Sequence, residues 1–149
     1  MERVARSMLL LGGGMSVALA LYHFFLPFQF HWARFVEEVP GQIRWALFAL
    51  NFFFSVLLLV VGLLVLATAW SSARDRPLAL MVVGGAASFW LANFAYLVLF
   101  PFPVPASLYA VKWGLASFSA TCFLLHGVPF GWLVANGERR VTNVDGVAG

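Results

Sequence analysis

Four long apolar runs, each closed by residues that break helices, constrain this chain more than any other feature. They extend from about Val4 to Leu26, Ile43 to Trp70, Leu78 to Phe100 and Ala106 to Val134. Between them lie Pro27, Pro40-Gly41, the polar stretch Ser71-Ser72-Ala73-Arg74-Asp75-Arg76-Pro77, and Pro101-Phe102-Pro103-Val104-Pro105. About 20 residues rising about 1.5 Å each are enough to cross the hydrocarbon core of a bilayer. In lipid, only helices and closed barrels satisfy their own backbone polar groups. The runs are too long for barrel strands and lack the alternation of a barrel wall. The expected fold class is therefore all-α integral membrane, a four-transmembrane-helix bundle forming one membrane domain over residues 1–149.

Composition agrees: 62% of the residues are hydrophobic and 10% are charged, against about 25% charged in a soluble domain. So few charges cannot cover a water-exposed surface, and the bilayer must be the solvent for much of the chain. The net charge of +3 fits the bias of cations toward one membrane face, and no nucleic-acid partner is expected. The single cysteine, Cys122, lies within an apolar run and cannot form an internal disulfide; it reads as a small packing residue.

The cations set an expected orientation. Arg3, Arg6, Arg74, Arg76, Arg139 and Arg140 fall on one side; Arg34, Arg44 and Lys112 fall on the other. The richer side should be cytoplasmic, which puts both termini inside, in what reads as a bacterial inner membrane. Trp45, Trp113, Trp70 and Trp132 fall at helix ends and Trp32 in a connector, all interface positions, whereas Trp90 is well inside the third run. The start of the chain also resembles a signal peptide, with Ala18-Leu19-Ala20 as a cleavage-like site. Apolar character continues past it through Leu21 to Phe25 with no polar region, which favours a retained first helix.

Between Pro27 and Pro40, the residues Phe28, Trp32, Phe35, Val36 and Val39 recur at helical spacing, with Gln29, His31, Arg34, Glu37 and Glu38 on the other face. That pattern predicts a short interfacial helix between the first two spans, bounded by a proline at each end. The polar tail, about 137–149, is expected to be disordered.

An internal echo suggests two parallel two-helix repeats. Ile43-Arg44-Trp45-Ala46-Leu47 opens the second run, and Val111-Lys112-Trp113-Gly114-Leu115 returns the same residue types near the start of the fourth. Tyr22 precedes Pro27-Phe28 by the same interval that separates Tyr96 from Pro101-Phe102. A two-helix unit restores its own topology, so its symmetry axis would lie along the membrane normal. Aromatic belts and terminal prolines arising separately would give a similar pattern. Each span also carries small or polar residues at helical spacing: Gly13, Ser16, Ala20 and His23; Asn51, Ser55 and Gly62; Gly85, Ser88, Ala92 and Tyr96; Gly114, Ser117 and Thr121. Lipid offers helices no hydrophobic reason to associate, so these stripes are expected to face one another.

Helix direction and rise place His23, Arg44, Asn51, Asn93, Tyr96 and Lys112 in the outer third, where they are expected to share an outward-facing polar pocket. Interhelical hydrogen bonding by the asparagines and snorkelling by the two cations are the structural alternatives. His126 falls near the opposite face, on the order of 25 Å from His23, so the two cannot serve one haem or metal ion; His126 to Pro129 reads as a kink or helix end. His23, His31, Glu37 and Glu38 are an alternative metal set of zinc-like residue types without helical ligand spacing. No cofactor is expected, since no phosphate-binding loop, CxxC, HExxH or GxSxG occurs. The function expected is an accessory or assembly subunit, or a binder of lipid or another hydrophobic ligand. Its expected partners are membrane lipids, with a larger membrane complex or a homo-oligomer as the alternative. A small oligomeric carrier or pore, and a membrane-embedded enzyme using His23, are the alternatives.

Overall fold

The computed structural model describes residues 3–70, 76–103 and 105–145. Helix α1 covers Arg3–Gln29, a single turn α2 covers Trp32–Phe35, α3 covers Gly41–Trp70 and α4 covers Arg76–Leu99. A short 3-10 turn, Ala106–Leu108, leads into α5, Tyr109–Asp145. The helices α1, α3 and α4, and α5 over Tyr109–Asn136, are each long and apolar enough to cross a membrane. The chain is an all-α, multi-pass membrane protein.

The four long helices form two hairpins. Helix α1 packs along α3, and α4 along α5; α1 with α5 and α3 with α4 then join the hairpins. Apolar residues from all four helices meet in two layers. One contains Leu9, Val65, Ala69, Val83, Ala86 and Leu133. The other, nearer the α2 end, contains Ala20, Leu58, Trp90 and Cys122. Trp90 is 1% exposed and packs edge-on against Phe89 and Phe118, with centroids 5.2 Å and 5.7 Å away.

The small residues of α1 and α3 do face each other. Gly13, Ser16 and Ala20 are buried on α1, and Ser55 and Gly62 on α3. A Cβ at Gly62 would lie 3.1 Å from both the Gly13 carbonyl and the Val17 nitrogen, so this crossing depends on the missing side chain. In the second hairpin the expectation fails. Gly85, Ser88, Ala92 and Tyr96 are exposed, as are Gly114, Ser117 and Thr121. Helix α4 instead turns Val83, Ala86, Ala87 and Trp90 inward. Thr121 Oγ1 donates to the Ser117 carbonyl at 2.8 Å, within its own helix, and so needs no partner helix.

Pro27, expected to end a helix, does not, and neither does Pro129, which reads as a kink or a helix end. Pro27 is buried inside α1, which runs on to Gln29. A proline lacks the N–H that would bond the carbonyl four residues back, here that of His23. Asn51 Nδ2 of α3 donates to that carbonyl at 2.9 Å, replacing the lost donor. Pro129 is likewise inside α5. That helix also continues as far as Asp145 through part of the segment expected to be disordered; residues 146–149 lie outside the described residues, as do the loop residues Ser71 to Asp75, Arg74 among them. The connector after α1 is less helical than its periodicity implies. His31 takes a left-handed conformation, φ 50° and ψ 44°, which turns the chain and leaves only Trp32–Phe35 helical.

Candidate functional site

The α2 end carries an apolar cleft of about 690 Å³. Leu19, Tyr22, His23 and Leu26 of α1 form one wall, and Leu47 of α3 adjoins it. Phe30, Trp32, Phe35 and Val36 from the α1–α3 connector form a second. Phe102, Val111 and Leu115, from the α4–α5 connector and the start of α5, close it from the other hairpin. Cavities of this size are in the range that holds small organic ligands. Phe30, Phe35 and Phe102 are all at least half exposed, so these aromatic faces are uncovered within the chain itself.

The chain turns back on itself here because Arg44 ties the connector to α3. Its Nη2 donates to the Glu37 carbonyl at 2.6 Å and to the Val39 carbonyl at 3.3 Å. Those carbonyls belong to a non-helical stretch with few backbone donors of its own, and a guanidinium supplies several at once. Trp32 then stacks edge-on over Phe48, at 6.0 Å, which holds α2 against α3.

His23 is one of three polar rings at the cleft wall, with Tyr22 and Trp32. Its Nδ1 lies 2.9 Å from the Leu19 carbonyl, one turn back on α1. Phe54 of α3 packs on it at 5.2 Å and Tyr22 at 6.0 Å. Below it, Asn51 bonds the His23 carbonyl left free by Pro27. The ring of His23 is thus held by its own helix and by Phe54 of α3, and its carbonyl by Asn51 of α3.

Of the six residues expected to share a pocket, His23 alone is among those lining the cleft. Asn51 is joined to it through the backbone bond. Arg44 is engaged with the connector, and its buried Nε has no partner. Asn93 belongs to the second hairpin, where Ser119 Oγ donates to its Oδ1 at 3.0 Å and reaches the Trp90 carbonyl at 3.2 Å. Tyr96 is exposed and packs on Phe100. Lys112 Nζ sits over the rings of Tyr109 and Trp113, at 5.8 Å and 5.3 Å, a cation–π arrangement that keeps the ammonium at the interface. The alternative metal set does not converge: among the described residues no three His, Cys, Asp or Glu side chains gather as ligands.

Trp32, Phe35 and Val36, which the sequence presents as the apolar face of an interfacial helix, form a wall of the cleft instead. A second, smaller groove of about 350 Å³ lies between α4 and α5, lined by residues that include Gly84, Ala87, Ser88 and Gly127. In the bundle interior, His126 is fully buried; its Nδ1 bonds the Cys122 carbonyl, and its Nε2 has no partner. It fits there because a Cβ at Gly12 would lie 2.7 Å from its Cε1. Comparison of the chain with family models, with curated proteins and with solved structures finds no match.

Proposed function

We propose that this is a binder of a hydrophobic ligand held within the membrane, with the cleft at the α2 end as its site. One observation carries the reading. Three separate segments of chain, from both hairpins, converge to enclose an apolar volume of about 690 Å³ with a fixed imidazole on its wall. Apolar walls with few, well-placed polar groups are the usual makeup of a small-molecule site.

The test fills the cleft. Val111→Trp and Leu115→Trp should reduce the lipid-like molecules retained on the protein in native mass spectrometry from a mild detergent. Leu124→Trp, in the second groove, should not. Equal retention by all three variants would overturn the reading.

The orientation proposed with it is both termini cytoplasmic in a bacterial inner membrane, which turns the cleft outward. It is supported by the distribution of Lys and Arg. A cysteine at exposed Gln42 should react with a membrane-impermeant maleimide from outside intact cells; the native Cys122 is buried and contributes little background. Labelling only after lysis would reverse the topology.

A second reading, an accessory subunit in a larger complex or homo-oligomer, is favoured by exposed Gly85, Ser88 and Ala92 on α4. Small residues let a partner helix approach closely. Ser88→Leu should then abolish co-purification of a partner while leaving the chain folded. The pairing of α1 with α3 and of α4 with α5 also supports descent from a duplicated hairpin. Asn51 on α3 and Ser119 on α5 each lie six residues beyond the Trp of the echoed stretch, and each donates to the first helix of its own hairpin.

A further inference from the structure

The orientation of the His23 ring restricts what its free nitrogen can recognise. A carbonyl oxygen only accepts hydrogen bonds, so the 2.9 Å contact with Leu19 requires the proton on Nδ1. In the neutral ring, Nε2 is then an acceptor. The only hydrogen bond of the ring among the described residues is the one to Leu19. The ring cannot easily turn to reverse these roles, because Phe54 and Tyr22 pack against it. His23 lies six residues before the end of α1, about 9 Å below it at about 1.5 Å per residue. That depth is where the polar end of an amphiphile gives way to its chain.

We propose that the cleft binds a single-chain lipid alcohol, its terminal hydroxyl donating to Nε2 of His23 beneath Phe30, Trp32, Phe35 and Phe102, and its chain running on past Leu19 and Leu115 toward the bilayer interior. This rests on the hydrophobic-ligand reading above and adds the chemistry of the polar end. A ligand ending in a hydroxyl satisfies the acceptor. One ending in an ether or carbonyl brings a second acceptor against Nε2 and leaves that nitrogen unpaired, which is how a buried polar group discriminates between ligands of the same shape.

The experiment uses the full chain in detergent micelles with two probes, geranylgeraniol and its methyl ether. They share a chain and differ in the donor. The wild-type protein should bind the alcohol about two- to twelvefold more tightly, the range of one net hydrogen bond. The ¹⁵N resonance of His23 Nε2 should move with the alcohol and stay fixed with the ether. In His23→Phe the preference should vanish while the ether still binds. Equal binding of both probes by the wild type would overturn the hydroxyl proposal and leave the hydrophobic-ligand reading standing. A preference that persists in His23→Phe, or an unmoved Nε2 resonance, would overturn it too. Binding of neither probe would remove both. The resonance and the probe pair are read on the unaltered protein, so the outcome does not depend on the variant folding.

Discussion

Pro27 and Asn51 should be energetically coupled, and a double-mutant cycle measures by how much. Pro27 leaves the His23 carbonyl without its helical donor, and Asn51 Nδ2 supplies one from α3 at 2.9 Å. Removing Asn51 in the native background strands that carbonyl. Interhelical hydrogen bonds in membranes average about 0.6 kcal/mol and reach about 1.7, whereas a buried polar group left unpaired costs about 1–3 kcal/mol. The stranded case has no fallback, so Asn51→Ala should destabilise by about 1.5 kcal/mol. In Pro27→Ala the backbone N–H returns and bonds the same carbonyl. There Asn51→Ala should cost only about 0.5 kcal/mol, in the range of an ordinary membrane bond. The difference, about 1 kcal/mol, is a coupling energy, and the packing lost with either side chain cancels from it. Reversible unfolding in mixed detergent–SDS micelles, read by circular dichroism, gives the four stabilities. An equal cost of Asn51→Ala in both backgrounds would refute the idea that Asn51 replaces the donor Pro27 lacks.

Gly12→Ala should destabilise by about 1–3 kcal/mol, the cost of overpacking, because its Cβ would meet His126 Cε1 at 2.7 Å and Leu125 Cβ at 3.1 Å. Gly14→Ala, with nothing within 4 Å, should be neutral or slightly stabilising; the same unfolding assay separates them. Arg44→Leu should raise hydrogen exchange across residues 36–39 by releasing the carbonyls of Glu37 and Val39, while Lys112→Leu should leave that exchange unchanged. Ser119→Ala should cost about 0.6 kcal/mol, an average interhelical bond, since it removes the donor to Asn93 and Trp90.

The helix ends show where sequence reasoning carries and where it stops. A proline need not stop a helix where another donor reaches the carbonyl it orphans. At Pro27 the missing partner is 24 residues further along the chain, on α3. No local pattern encodes that bond. Likewise, His31 turns the chain through a left-handed conformation, and the amphipathic spacing around it continues as though the helix did too. The inward faces divided in the same way. On α1 and α3 the small residues must meet, because Gly13 and Gly62 set a backbone-to-backbone approach. On α4 nearly every face is apolar, so periodicity has no preferred side. There the volume of Trp90, filling the space between Phe89 and Phe118, decides which side turns in.

The same division runs through the candidate site. His23, Asn51 and Asn93 could be placed at one end of the bundle by counting residues along helices of known rise. Depth along an axis is a one-dimensional quantity, and sequence contains it. Rotation about each axis is not, and it separates Asn93, bonded to Ser119 between α4 and α5, from His23 beside α3. The number of spans, their lengths and their apolar character follow from the chain alone, because lipid forces every span to satisfy its own backbone. The cleft was decided only in three dimensions. It exists because Arg44 folds one connector back over α3 while a second connector arrives from the other hairpin, and such a meeting of distant segments leaves no mark in either of them.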